Sequence, residues 1–258
     1  FEAFVVDNAS TDNSVEAVTS AFPGVVCVEN DKNLGFAMAN NQALSLSKGR
    51  YAALLNTDTV LTEGALDTIV KFMDANSQAA ICGGQLLNED GSLQNSIANI
   101  PTLATELLNK SLLKLLFPKK YPGKKSRFEK PTEVESIIGA CMVVSRKAID
   151  KAGMLDEAFF FFFEETDWCL AMKKAGFRIF FLPEARIYHL QGQTAKKNLA
   201  ASRVEYWRSR YIFFRKRYST LSNVILYAGL LLRLLVSIAL QIPACALSAK
   251  TRTKLSVN

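Results

Sequence analysis

Apolar residues fall along the chain in short blocks parted by polar turns, and the blocks change period from one to the next. Glu2–Val6 is an apolar run that closes on Asp7, Asn8, Ala9, Ser10, Thr11 and Asp12, which predicts a buried strand ending in a polar turn. A helix is expected over Ser14–Phe22, stopped by Pro23-Gly24, then a strand over Val25–Glu29 and a loop over Asn30–Gly35. Phe36–Ser47 reads as a helix with Gly49 as its stop, and Tyr51–Leu55 as a strand running into Asn56-Thr57-Asp58-Thr59. Leu66, Ile69, Val70 and Met73 stand at i, i+3, i+4 and i+7, one face of a helix that Thr62 is placed to cap. Ala79–Leu87 is strand again, and Asn88-Glu89-Asp90-Gly91 is its turn. This alternation predicts an α/β domain, a mostly parallel sheet with helices on both faces. Ligands of such sheets lie beyond the carboxyl ends of the strands, where both Asp7 and Asp58 stand.

Beyond residue 100 the pattern changes. Thr102–Phe117 reads as one leucine-rich helix, an insertion over a sheet edge. Glu135–Val144 returns to strand, and Ser145–Ala152 is a short helix ended by Gly153. Phe159–Phe163 is an unbroken phenylalanine run, which belongs inside. It delivers Glu164, Glu165 and Asp167 into the first turn of a helix over Glu164–Ala175, closed by Gly176. Strands follow over Phe177–Leu182 and Ala185–His189. Ala200–Tyr218 predicts a helix rich in arginine and aromatic residues, and Leu221–Leu247 is apolar and long enough to cross a bilayer. Arg233 sits in the middle of that stretch, where a charge costs at least about 2.5–3.5 kcal/mol in hydrocarbon. A spanning helix, a helix lying in the interface and a docking helix all fit.

Composition narrows the class. With 258 residues, 49% hydrophobic and 21% charged, the chain suffices for one α/β domain plus an appendage. The division is expected near residue 195, with the α/β domain over 1–195 and the basic, aromatic and then apolar tail over 196–258. The net charge of +7 is concentrated. One basic cluster holds Lys119, Lys120, Lys124, Lys125 and Arg127; another holds Lys196, Lys197, Arg203, Arg208, Arg210, Arg215, Lys216 and Arg217. An anionic membrane surface suits both. Nucleic acid does not, because no recognition motif is present and the arginine-rich segment leads straight into an apolar helix. Cys27, Cys82, Cys141, Cys169 and Cys245 lack any Cys-x-x-Cys spacing, which reads as small core residues in a reducing compartment.

Three polar clusters are candidates for chemistry. Asp7, Asn8, Ser10 and Asp12 are able to accept hydrogen bonds from a nucleobase or ribose, and equally able to cap the next helix. In Asn56-Thr57-Asp58, a carboxylate at a strand end suits a hard cation whose other ligands are phosphate oxygens; an ordinary turn aspartate looks the same. Glu164, Glu165 and Asp167 are a set in which paired acids take different roles, though acids in a first helical turn are also favoured by the dipole alone. His189 is the only histidine. Followed by the polar loop Gln191–Thr194, it fits a metal ligand shared with Asp58, and it fits a hydrogen-bonded core residue as well.

The order VVDNASTDNS, NDKNLGFAMANNQAL, LLNTDTVL, GGQLLNEDGSLQNS, IIGACMVVSRKAIDKAGMLDEAFFFFFEETDWCL and AGFRIFFLPEARIYHLQGQT resembles family-2 glycosyltransferases of the GT-A fold, the Rossmann-like nucleotide-diphospho-sugar transferases. Within them it is similar to the rhamnosyltransferase type of bacterial surface-polysaccharide assembly. The resemblance runs from Phe1 to about Tyr218. It implies inverting transfer of a sugar, possibly rhamnose, from a nucleotide diphosphate sugar to a glycan or lipid-linked acceptor, with a divalent cation, Mg2+ or Mn2+. By position, Asp7 would bind the nucleoside with Asn8 and Asp12 nearby, and Asn33, Gly35, Phe36 and Asn40 would shape the donor loop. Asn56 and Asp58 occupy the ends of the family's Asp-x-Asp element, and His189 would complete the metal site. Glu164-Glu165 stand where the family commonly has Glu-Asp, with Glu165 as general base and Asp167 a third recurrent acid. The C-terminal segment would hold the enzyme on the cytoplasmic face of the bacterial inner membrane. The sequence departs from the pattern at Asn56, which leaves one carboxylate for the metal, and at Glu165, whose base reaches one methylene further. It also departs at Ala171 and near Ala98 and Asn99, where arginine is frequent. The family's first strand and helix are expected before Phe1. The other reading is a non-catalytic member that binds a nucleotide sugar or a partner, against which the retained Asp58 and Glu164-Glu165 weigh.

Overall fold

The computed structural model describes residues 1–118, 128–190 and 199–255, so the Lys119–Arg127 cluster, Lys196, Lys197 and the Gln191–Thr194 loop lie outside the described residues. By compactness the chain forms two units, Phe1–Ile100 with Lys119–Phe213, and Pro101–Pro118 with Phe214–Asn258. In chain order the elements begin with β1 (Phe4–Asp7), α1 (Ser14–Ala21), β2 (Val26–Glu29), α2 (Phe36–Leu46), β3 (Tyr51–Leu55), β4 (Thr59–Leu61), α3 (Ala65–Ala75) and β5 (Ala79–Leu87). They continue with β6 (Ile97–Ala98), α4 (Leu103–Leu107), α5 (Lys110–Leu116), β7 (Thr132–Val134), β8 (Ser136–Ile137), β9 (Cys141–Ser145) and α6 (Arg146–Ala152). The last are α7 (Glu164–Lys174), β10 (Arg178–His189), α8 (Leu199–Arg217) and α9 (Thr220–Leu255).

The first unit is α/β, as its alternating pattern predicts. Its main sheet runs β3-β9-β5-β10-β4, with β7 also on β10. β5 and β10 are parallel, as are β1 and β2 in a separate two-stranded sheet. β9 enters antiparallel between β3 and β5, and β4 and β7 pair antiparallel to β10, so the sheet is mixed. Apolar side chains cover both faces. Leu44, Ile81, Met142, Trp168, Met172 and Ile179 pack on one side; Ile69, Met73, Cys82, Val143 and Leu182 pack on the other. Adjacent Ile81 and Cys82 fall on opposite sides, the two-residue alternation of a strand. Burial pushes the thiols of Cys82 and Cys141 up to about 12, which makes them inert core residues as expected.

Three local expectations change. The strand predicted over Glu135–Val144 breaks at Gly139-Ala140, where β8 leaves to pair with β6 and β9 joins the main sheet. The strands predicted over Phe177–Leu182 and Ala185–His189 are one, β10, with a register shift against β5 between Leu182 and Arg186. Pro183 lies in that shift, where its missing N–H costs no ladder bond. Thr62 does not cap α3, whose N-cap is Gly64; its Oγ1 donates to Arg186 O at 2.8 Å and ties the β4 end to β10.

In the second unit the helix predicted over Thr102–Phe117 is two. Thr102 caps α4, accepting from Thr105 N at 3.2 Å, and Asn109 caps α5, accepting from Ser111 N at 2.8 Å and Leu112 N at 3.2 Å. A short amide that satisfies two N–H groups ends one helix and starts the next. α9 runs past the expected Leu247 to Leu255. Among the described residues, its Thr220–Ala239 portion is long and apolar enough to cross a membrane.

Candidate active site

Strand register places the cation-type residues. β4 runs antiparallel to β10 with Thr59 opposite His189, and Leu190 N donates to Asp58 O at 2.8 Å. Asp58 Oδ1 therefore lies 3.3 Å from His189 Nε2. The far side of the ring is held by Gln94. Its Nε2 donates to His189 O at 2.6 Å, and its Oε1 faces His189 Nδ1 at 3.1 Å. The amide orientation is forced, because a carbonyl accepts only from the NH2 end. Oε1 then accepts from Nδ1, and Nε2 is the ring nitrogen that faces Asp58. A carboxylate oxygen and a ring nitrogen at this distance are bridged either by a proton on the ring or by a bound cation. A separation of 3.3 Å suits neighbouring corners of an octahedron with bonds of about 2.1–2.4 Å. Asp58 and His189 are a donor pair that fits a divalent ion. Among the described residues, no third His, Cys, Asp or Glu joins them.

The acids stand in the first turn of α7. Glu164 is 4% exposed, Asp167 is buried and Glu165 half-buried. Oε2 of Glu164 and Oε2 of Glu165 are both closed off from water without a hydrogen-bond partner. Burial, then the neighbouring Glu165, push Glu164 up to about 9, with Glu205 of α8 adding to the rise. Burial raises Glu165 as well. The helix dipole favours acids here, yet desolvation and mutual repulsion outweigh it. Burial therefore favours the protonated form of both acids, Glu164 most plainly.

The phenylalanine run that leads to them is only half inside. Phe159 and Phe163 are buried, whereas Phe160 and Phe161 are each 39% exposed. Phe162 and Phe163 both take φ of +71°, a strained backbone for bulky residues. α8 holds them there. Tyr206 packs on the Phe162 and Phe163 rings at 5.7 and 5.3 Å, Phe213 lies 5.8 Å from Phe163, and Ser209 Oγ donates to Phe161 O at 2.8 Å.

The donor-loop residues form one braced turn. Asn8 Nδ2 donates to Gly35 O at 3.2 Å, and Asn8 Oδ1 accepts from Asn30 Nδ2 at 3.1 Å. Asn30 and Gln42 exchange two amide bonds. Asn33 Oδ1 accepts from Gly35 N, and Asn40 Nδ2 donates to Phe36 O, both at 2.9 Å. Asn8, Asn33 and Asn40 thus build the loop. Asp7 Oδ2 accepts from Ser10 N at 3.0 Å. Asp12 is exposed, and Ser14 bonds through its hydroxyl and N–H hold it below the usual carboxylate range. Phe36 N donates to Phe160 O at 2.8 Å, which joins the loop to the phenylalanine run. Gly35, at φ +83°, is required: a Cβ there would run into the Phe160 carbonyl.

These groups connect through short contacts. Asn56 N donates to Ala140 O at 2.9 Å, and a Cβ on adjacent Gly139 would sit 3.6 Å from Glu165 Cβ. The Asp58 turn and the acid pair therefore flank the same Gly139-Ala140 break. Gln94 falls within the GGQLLNEDGSLQNS motif without a role assigned to it there, and Glu205 is not singled out by the sequence; each acts on a residue far along the chain.

Residues 1–153 match the family model described as Glycosyl transferase family 2. An N-acetylglucosaminyl-diphospho-decaprenol L-rhamnosyltransferase of Mycobacterium tuberculosis is 25% identical over 231 residues, covering 83% of this chain and 75% of its own length. A dTDP-rhamnosyl transferase of Shigella flexneri is 24% identical over 174 residues, covering 64% of this chain and 52% of the relative. Two solved structures share the GT-A fold. A mannosyltransferase from Pyrobaculum calidifontis with GDP-Man and Mn2+ has a TM-score of 0.55 at 17% identity, over 88% of this chain and 59% of that one. GalNAc-T7 with UDP, GalNAc and Mn2+ has a TM-score of 0.53 at 15% identity, over 73% of this chain and 37% of that one.

Proposed function

The chain belongs to glycosyl transferase family 2, and from that premise we propose that it transfers a sugar, rhamnose by similarity to its relatives, from a nucleoside diphosphate donor to a hydroxyl of a lipid-linked glycan. The reaction inverts the anomeric centre and serves bacterial surface-polysaccharide synthesis at the cytoplasmic face of the membrane. The observation that carries this reading is the shared Gly139-Ala140 break, with Asn56 bonded to Ala140 and Glu165 against Gly139. It sets a carboxylate–imidazole pair on one side and a buried acid pair on the other.

Glu165 is the general base. As the acceptor oxygen bonds to the anomeric carbon, its proton passes to Glu165, and the bond from that carbon to the diphosphate breaks with its electron pair leaving on the nucleotide. Burial holds the proton on Glu164, and Glu165 is the more exposed of the two and the one beside Gly139. A divalent cation supplies neutralisation of the charge that gathers on the leaving diphosphate. Asp58 and His189 would hold it, beside Asn56. The turn from Asp7 to Asp12 and the braced loop from Asn33 to Asn40 receive the nucleoside. The exposed rings of Phe160 and Phe161 keep water from the donor. Membrane attachment runs through α9, supported by the apolar Thr220–Ala239 stretch and by the lipid-diphosphate acceptor in the name of the mycobacterial relative.

The test is release of nucleoside diphosphate by the purified full chain, with Mn2+ or Mg2+, over a panel of nucleotide sugars and lipid-linked acceptors. Glu165→Gln is expected to bind donor normally and lose about 10²–10⁴-fold in rate. Normal turnover by that variant overturns the base assignment. Donor binding without turnover on any acceptor favours the non-catalytic reading.

A further inference from the structure

The second unit carries more exposed apolar surface than α9 alone explains. Along α9, Asn223, Leu226 and Leu230 are buried at i, i+3 and i+7, the stripe of a helix packed on one side. That stripe stops at Leu230, and every residue from Leu231 to Ala239 is exposed. α4 covers the packed part. At their crossing a Cβ on Gly229 would meet Leu107 Cδ2 at 2.7 Å, so the two helices are in close contact there. α5 follows α4 immediately. Its Leu113 is buried, but Leu112, Leu115, Leu116 and the adjoining Phe117 are all exposed, Leu115 by 77%. Leu112, Leu115 and Leu116 stand at i, i+3 and i+4, so they form one face.

We propose that α5 is a second lipid-binding element, its Leu112–Phe117 face resting in the headgroup region of an anionic bilayer at the level where α9 loses its protein cover. The inference rests on the membrane attachment proposed above. Three observations favour lipid over a protein partner. A seven-residue helix offers one face of four side chains, well short of the ~800 Å² per partner of a stable protein interface. The face belongs to the same compact unit as the apolar stretch of α9. Arg215 and Lys216 are exposed just before α9, and Arg233 is exposed two residues into the uncovered part, where cations face anionic headgroups. That level also answers the cost of Arg233: with hydrocarbon beginning near Leu231, its long side chain reaches the interface instead of the bilayer centre.

Bromolipid quenching of introduced tryptophans measures the depth directly. Full-length Leu116→Trp and Leu235→Trp proteins are placed in phosphatidylcholine–phosphatidylglycerol vesicles, and the emission of native Trp168 and Trp207 is subtracted using the parent protein. Emission from position 116 is expected to shift to the blue on vesicle addition and to lose more than half its intensity to shallowly brominated lipid. Position 235 is expected to be quenched more by deeply brominated lipid. Quenching at 235 without quenching at 116 overturns the role of α5 and leaves the membrane attachment standing. No quenching at either position removes both. A blue shift at 116 that grows with protein concentration without vesicles assigns the face to a second copy of the chain and overturns the proposal.

Discussion

Glu164 and Glu165 show how one proton decides a site. Burial, with Glu165 beside it, holds the Glu164 carboxyl up to about 9 in the folded chain, against 4.5 for a free glutamate. Between those values the native state binds more protons than the unfolded one, so stability falls as pH rises through that window. Glu164→Gln removes the share of that dependence that Glu164 carries. Its melting temperature is expected to exceed the parent's by about 2–4 °C in mildly alkaline buffer and to converge on it near the lower limit, as read by thermal scans across pH. Gln94 works at the same scale. Gln94→Leu frees both the ring and the carbonyl of His189, and is expected to weaken Mn2+ binding about 10–100-fold. Because His189 is the only histidine, its ring nitrogen shifts report the tautomer without assignment; an unchanged spectrum removes Gln94 from the site. The pairing of Asp58 with His189 followed from the family pattern. Gln94 did not, since a carboxamide carries no local signature and its partner lies 95 residues on.

Elements were readable where the period was strong and ambiguous where a single residue redirects the chain. α3, α7 and α8 answer to patterns spread over many residues. The split of Thr102–Phe117 hangs on one amide, Asn109, in a run otherwise suited to a single helix. Strand direction is not local at all: the apolar Cys141–Ser145 looks the same whichever way it enters, and its antiparallel place follows from the turn at Gly139-Ala140. The phenylalanine run was expected inside as a block, but the left-handed turn at Phe162-Phe163 rotates Phe160 and Phe161 outward. Gly35 is the element-scale weak point of the donor loop. Gly35→Ala combines a left-handed φ, strain of about 1–3 kcal/mol, with a clash on the Phe160 carbonyl. It is expected to raise the donor dissociation constant roughly tenfold or more, measured by titration calorimetry, with a smaller loss of thermal stability. Unchanged affinity would detach this loop from the donor.

For the whole molecule, composition anticipated one α/β domain plus an appendage, but not which part of the appendage is covered. A chain ending at Leu230 keeps Asn223, Leu226 and Leu230 in their packing and removes the bare length of α9. It is expected to stay in solution without detergent, where the full chain pellets, and to retain only weak, salt-sensitive binding to anionic vesicles. Pelleting of both assigns the apolar burden elsewhere. The separate β1–β2 ladder has a further consequence. Among the described residues it meets no strand of the main sheet; α2 packs on β1, amides around Asn8 brace its end, and Glu2 accepts from the Lys48 and Gly49 N–H groups. A ladder of that size opens readily by itself. On the proposed reading, the side that would receive the nucleotide thus rests on the looser ladder, while the acids stand on α7, which packs against β8 and β10. Part of a donor's binding energy would then go into stilling that ladder, and a nucleotide that stilled it would prepare the site for an acceptor.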